Sequence, residues 1–224
     1  MTNKIVAFDL DGTLIDSAPD ITNALNVILT KNKLKEVSLK KVRHLIGNGA
    51  RALIYNAFNK QNIEIKNLDK LTKDFLSVYK RCYKDKTKLF KNVIGSLQNL
   101  KKKNLILIVV SNKPEFYVKN LLYHFRINNF FSFYSGGDTF TFRKPDPKHI
   151  FESVSKAGIS NNFKGIFVGD SKYDYECAEN ANWPCILFSK GYSDEDISTF
   201  KPAKVFDDYV ELPQIIENIF DNYK

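Results

Sequence analysis

No apolar run in this chain is long enough to cross a membrane. The longest strand-like one, LILIVV at 105–110, falls far short of the roughly 20 residues a spanning helix needs. The stretch MTNKIVAFDLDG has no apolar h-region followed by a small-residue cleavage site, so an export signal is not expected. Cysteine is scarce. Cys82, Cys177 and Cys185 are odd in number and form no C-x-x-C pattern, which argues against a disulfide framework and fits reduced structural thiols in the cytoplasm. His44, His124 and His149 are scattered singly and read as packing or surface. There is no internal repeat and no low-complexity segment. A concentrated basic face is missing too. The net charge of +9 comes mainly from lysines spread along the whole chain. The densest run, LKKKN at 100–104, reads as a helix C-terminus, where lysines complement the dipole. Nucleic-acid binders gather arginine, lysine and aromatics on one face. Neither nucleic acid nor a membrane is therefore the expected partner.

What is present is a rhythm of strands and helices. Apolar strand-like runs stand at 5–8, 105–110, 131–134, 165–169, 185–188 and, more weakly, 204–206. Helical spacing occupies 114–125, 146–157, 172–181 and 211–221. Strand, helix, strand in this order predicts an α/β fold, a doubly wound parallel sheet with helices on both faces and a Rossmann-like core. Residues 17 to about 90 hold no convincing strand and read as helices near 19–32, 38–46, 49–60 and 68–85. That is too long for one crossover. The expected division is an α/β core of residues 1–16 and 89–224 with a helical cap inserted at 17–88. At 224 residues the chain has material for one core and a small second domain.

The first strand ends in a puzzle, VAFDLDGTLIDS at 6–17, where Asp9 and Asp11 stand one residue apart. Two carboxylates so close repel unless a cation intervenes or one holds a proton. They mark either a polar turn or a metal-assisted catalytic pair. Other strand ends are loaded in the same way. LILIVV runs into Ser111, Asn112 and Lys113, with Pro114 placed to start a helix, and GIFVG runs into Asp170, Ser171 and Asp174. Open α/β sheets bind ligands at the carboxyl ends of their strands. A hydroxyl and amides at a helix start suit an anion. Asp9 with Asp170 makes a hard oxygen site suited to Mg²⁺. Lys144 in FRKPDP adds a positive charge.

These stretches, in order, resemble the haloacid dehalogenase superfamily: Asp9-Leu10-Asp11-Gly12-Thr13, then Ser111, then Lys144 in KPDP, then Gly169, Asp170 and Asp174. The resemblance covers nearly the whole chain, and the helical insert resembles that family's cap. It implies a phosphatase in which Asp9 is the nucleophile and becomes an aspartyl-phosphate. Mg²⁺ would be held by Asp9, the Asp11 carbonyl oxygen and Asp170. Asp11 would act as general acid and base, with Gly12 allowing close approach of the phosphate. Ser111, the Asn112 amide and Lys144 would bind phosphate oxygens, and Asp174 would orient Lys144 or a metal-bound water. An acid at position 11 favours phosphoester chemistry, because relatives that cleave carbon–halogen or carbon–phosphorus bonds lack it.

The stretch HLIGNGARALIYNAF at 44–58, with VVSNKP and SGGDTFTFRKPDP, resembles bacterial phosphoglycolate phosphatases more than other members. Gly47, Asn48 and Gly49 would receive a small carboxylate, or merely join two helices. Arg51 would bind that carboxylate or lie on a solvated face. The expected partner is a small phosphorylated metabolite, 2-phosphoglycolate first. Pyrophosphate, a sugar phosphate or a nucleotide are alternatives on the same fold, and a catalytically silent binding module is the alternative from another class. A monomer or homodimer is expected.

Overall fold

The computed structural model describes residues 2–193 and 199–222. Strand β1 (Asn3–Phe8) lies inside a six-stranded sheet with β4 (Ile106–Val110), β5 (Phe131–Ser135), β6 (Phe163–Gly169), β7 (Cys185–Phe188) and β8 (Lys204–Phe206). Their spatial order is β5-β4-β1-β6-β7-β8, and every pairing is parallel. Strand order reverses beside β1, between it and β6. That is where an open sheet leaves a crevice at the strands' carboxyl ends.

Side chains alternate across each strand, so β1 feeds two cores. Val6 and Phe8 join the cluster packed by α5 (Val93–Lys102), α6 (Glu115–His124) and α9 (Leu212–Asp221). Ile5 and Ala7 join the other, packed by α7 (Lys148–Lys156) and α8 (Lys172–Asn180). The doubly wound expectation therefore holds, and each expected strand and helix exists within a few residues of its predicted bounds. Among the described residues no helix is long and apolar enough to cross a membrane.

Between β2 (Ile15–Asp16) and β3 (Lys88–Leu89) lie α1 (Ala18–Lys31), α2 (Leu39–Arg43), α3 (Gly49–Asn59) and α4 (Leu68–Cys82). Here the expectation needs correction, because β2 and β3 pair antiparallel, Ile15 opposite Leu89 and Asp16 opposite Lys88. Two-residue strands are too short to leave a periodic signal. The ribbon ties together the points where the chain leaves and re-enters the sheet layer. The predicted helix over 68–85 also stops early. Beyond Cys82 the chain turns so that the amides of Lys86 and Thr87 and the Thr87 hydroxyl all donate to the buried Asp20 carboxylate. These bonds satisfy a charge that would otherwise be costly to bury.

Helix α4 packs on α1 and α3, and α2 packs on α1. The insert is also continuous with the sheet layer, since Phe75 and Tyr79 of α4 belong to the same apolar cluster as Val6, Phe8 and Tyr117. Tyr79 and Tyr117 meet with ring centroids 4.9 Å apart.

Candidate active site

Strand β1 delivers Asp9 to the crevice, with the Asp9 amide donating to the Val168 carbonyl at 2.9 Å. The turn that follows needs Gly12. Its φ is +84°, and a Cβ there would lie 2.3 Å from Asp170 Oδ2. The next residue closes the turn onto β6: Thr13 Oγ1 donates to Asp170 Oδ1 at 2.8 Å. The Tyr192 amide donates to Asp170 Oδ2 at 2.7 Å, which fixes that carboxylate in place.

Lys144 is fully buried, with Nζ 2.8 Å from Asp9 Oδ1 and 2.6 Å from Asp174 Oδ1. It precedes a cis bond to Pro145. Asp174 belongs to the first turn of α8 and forms a reciprocal cap with Ser171. Its Oδ2 accepts from the amides of Asp170 and Ser171 and from the Ser171 hydroxyl. Both Asp174 oxygens are thus occupied, which makes it a group that positions Lys144 and the Asp170 loop.

Asp9, Asp170 and Asp174 bring carboxylate oxygens within 4.8 Å of one another. Burial raises Asp9 to about 6 against the opposing pull of Lys144, with Asp174 and Asp11 adding to the rise. Burial likewise pushes Asp170 well above the usual carboxylate range, reinforced by Asp174 and Asp9. For Lys144 burial works the other way, but Asp174 and Asp9 outweigh it and hold the ammonium above its ordinary value. One lysine among three buried acids leaves negative charge unbalanced. Asp9 Oδ1, although near Lys144, is buried without an aligned hydrogen-bond donor. An acid cluster of hard oxygens with such an atom fits a divalent cation of the Mg²⁺ type, held by Asp9 and Asp170, since Asp174 is already engaged.

Ser111 and Asn112 follow β4 and are buried beside these acids. The Asn112 side chain does something the sequence did not suggest. Its Nδ2 donates to the carbonyls of Gly47, in the insert, and Lys144, in the sheet layer, at 3.0 and 3.1 Å. A cavity of about 40 Å³ opens here, lined by Asp9, Asp11, Ser111 and Asn112 on one side. Gly47, Gly49, Leu53, Phe75 and Tyr79 of the insert line the other. Gly49 has φ +79°, and a Cβ there would come within 3.0 Å of the Asn112 carbonyl oxygen, so glycine lets the two layers close.

The expected residues converge with two exceptions. Asn48 precedes α3 and is not part of the cavity lining. Arg51 projects away from the cavity: its Nε pairs with Asp69 Oδ1 at 3.1 Å, and both side chains are more than half exposed, at 57% and 74%. Arg51 stands in the first turn of α3 and is itself exposed, whereas Leu53 and Ile54 are buried. The solvated-face reading of Arg51 describes this geometry.

The structure adds Lys113, which sequence reasoning left without a role. Its Nζ lies 3.0 and 2.9 Å from the two Asp11 carboxylate oxygens and 2.8 Å from the Tyr79 hydroxyl. Ser17 Oγ also donates to Asp11 Oδ1, at 2.5 Å. Tyr192 is a second addition, its hydroxyl donating to Asp16 Oδ1 at 2.7 Å and accepting from the Ala18 amide at 3.0 Å. Tyr79 is a buried residue of α4, and nothing local in the sequence marks what its hydroxyl meets.

A family profile described as haloacid dehalogenase-like hydrolase matches residues 6–188. A phosphoglycolate phosphatase of Mesorhizobium japonicum is 33% identical over 95% of this chain and 94% of its own length. A phosphoglycolate phosphatase of Pseudomonas syringae pv. tomato is 35% identical over 93% of this chain and 78% of its own. Among solved structures, one described as a predicted phosphoglycolate phosphatase from Haemophilus somnus superposes with a TM-score of 0.84. It is 31% identical, over 96% of this chain and 98% of that one.

Proposed function

The chain belongs to the haloacid dehalogenase-like hydrolase family, and from that premise we propose that it hydrolyses small phosphomonoesters, 2-phosphoglycolate foremost, to an alcohol and phosphate. The observation that carries this reading is Asp9 Oδ1, buried, bare of an aligned donor and 2.8 Å from Lys144 at the edge of a small cavity. In the first step an Asp9 oxygen attacks phosphorus, the bond to the leaving oxygen breaks, and that oxygen takes a proton from Asp11. In the second, water attacks the aspartyl-phosphate. Asp11 takes the water's proton, and the phosphorus–Asp9 bond breaks to regenerate the free carboxylate and release phosphate. Asp9, Asp170 and the Asp11 carbonyl oxygen would hold Mg²⁺, which when bound would neutralise charge between two anions that otherwise repel.

The protein's own groups do the rest. Ser111 and the Asn112 amide bind phosphate oxygens, and Lys144 balances charge on Asp9 and the transferring group. Gly12 lets the backbone come close, and Asp174 keeps Lys144 aimed. Helices α1–α4, residues 17–88, serve as a cap over a core of 1–16 and 89–224, with Gly47 and Gly49 lining the substrate's side of the site. Closure excludes water from the aspartyl-phosphate until the leaving group departs. The buried Cys177 and Cys185 thiols suit a reducing cytoplasm.

The test is phosphate release from 2-phosphoglycolate beside pyrophosphate, glucose phosphates and a nucleotide monophosphate, each with Mg²⁺, with EDTA and with Asp9→Asn. Turnover led by phosphoglycolate, Mg²⁺-dependent and lost in the variant, is the expected result. A different leading ester keeps the mechanism and removes the glycolate assignment. No Mg²⁺- and Asp9-dependent release from any of them removes both.

A further inference from the structure

We propose that Lys113, with the Tyr79 hydroxyl, is the docking point for the carboxylate of the leaving group, so that the site selects phosphoesters of small hydroxy acids. This rests on the phosphatase reading and assigns its specificity to a lysine at the junction of the two layers.

The first argument is charge. The cavity is walled on the insert side by apolar groups, among them Leu53, Phe75 and Leu76. A carboxylate pressed against that wall unpaired would pay a large desolvation cost. Among the described residues, Lys113 is the only cationic side chain in the cavity lining. Lys144 lies beneath, between Asp9 and Asp174, and Arg51 is outside with Asp69. The second argument is geometry. Lys113 is only 6% exposed, and its Nζ is 4.7 Å from the centre of the Tyr79 ring, so its position is fixed by packing as well as by hydrogen bonds. An ammonium has three N–H donors. Here they are shared between the two Asp11 oxygens and Tyr79. A substrate carboxylate at this spot takes over the donors now spent on Asp11 and can receive the Tyr79 O–H as well. Asp11 then keeps its Ser17 bond on Oδ1 and turns a free Oδ2 towards the leaving oxygen. Recognition of the acid and release of Asp11 become one event.

The experiment compares 2-phosphoglycolate with its neutral isostere, the primary amide, in the wild type, Lys113→Met, Lys113→Arg and Tyr79→Phe, with Mg²⁺ present. The wild type is expected to favour the acid by about 100-fold in kcat/KM, the scale of a buried charge-assisted contact. Lys113→Met also disturbs Asp11, so both rates fall and the acid-to-amide ratio is the readout. It is expected to collapse to within a few-fold of one, while Lys113→Arg keeps part of the preference. Tyr79→Phe, which removes a single oxygen atom and leaves the fold little to lose, is expected to raise KM for the acid by about 3–10-fold, with a smaller effect on the amide. A wild-type preference for the acid that survives in Lys113→Met overturns the role of Lys113 and leaves the phosphoglycolate reading intact. If Lys113→Met does not fold, an unchanged KM for the acid in Tyr79→Phe overturns the docking site. A wild type without acid preference, or without turnover of either ester, overturns the phosphoglycolate reading and this inference together.

Discussion

Replacing Asp9, the proposed nucleophile, should make the metal-free protein more stable. Asp9 is held at about 6 in the folded chain against an ordinary 3.8, chiefly by burial, and this already includes the favourable pull of Lys144. The shift of roughly two pK units means that, above pH 6, the folded state carries an ionised group about 3 kcal/mol less content than in the unfolded chain. Asp9→Asn keeps the shape and an oxygen facing Lys144 while removing that charge. In EDTA at pH 7.5 the variant should therefore gain up to about 3 kcal/mol. For a chain of this length that is about 6–12 °C in Tm.

The pH dependence fixes the sign. A carboxylate whose folded pKa is raised binds more protons folded than unfolded, so the wild type loses stability as pH rises from about 4 through 6. The advantage of Asp9→Asn should accordingly shrink to well under 1 kcal/mol at pH 4. Mg²⁺ should narrow this gap at pH 7.5. The wild type gains about 2.7 kcal/mol at a hundredfold excess over its Kd, and the variant, short of one anionic oxygen, gains less. Urea unfolding at pH 4 and 7.5, with EDTA and with Mg²⁺, measures all of this. An Asp9→Asn protein less stable than the wild type in EDTA at pH 7.5, or an advantage that does not fall on acidification, would refute the argument that the site is strained by its own charge.

Three other outcomes follow from the same geometry. Gly12→Ala, with its Cβ driven to 2.3 Å from Asp170 Oδ2 at φ +84°, should cost about 1–3 kcal/mol and abolish phosphate release; a folded, active variant in the release assay would contradict it. Asp20→Asn should cost about 2–3 kcal/mol in urea unfolding, because the carboxylate accepts from the Lys86 and Thr87 amides and the Thr87 hydroxyl at the exit of the insert. His149 is pushed down to about 3 by burial, with Lys144 adding to the effect, so the folded state binds fewer protons than the unfolded chain between pH 6.5 and 3. Its contribution is present above pH 6.5 and is lost as pH falls, by about 2 kcal/mol at pH 5. His149→Phe should flatten that part of the pH profile, and an unchanged slope would show that His149 is not its source.

The parts of the site that were legible in the sequence share one property. Asp9, Ser111 and Asp170 each stand within one residue of a strand's last residue, so a short apolar run locates them and the parallel sheet brings their ends together. Lys144 stood on no such frame and was legible only through the KPDP motif. What escaped was set by pairings between distant positions. The two-residue strands β2 and β3 exist because residues 15–16 meet residues 88–89. The early end of α4 exists because Asp20 waits for the amides of Lys86 and Thr87. Arg51 stood in a stretch that reaches the cavity, yet its side chain leaves the cavity and pairs in solvent with Asp69, eighteen positions away. Lys113 shows the same limit from the other side. In sequence it is an ordinary lysine between an asparagine and a proline, 34 positions from Tyr79 and 102 from Asp11. Only the docking of α4 against the loop after β4 buries it and makes it a counter-charge. A motif reading finds groups that act from strand ends. It misses groups whose chemistry arises where two layers close on each other, and the substrate selection proposed for Lys113 belongs to that second kind.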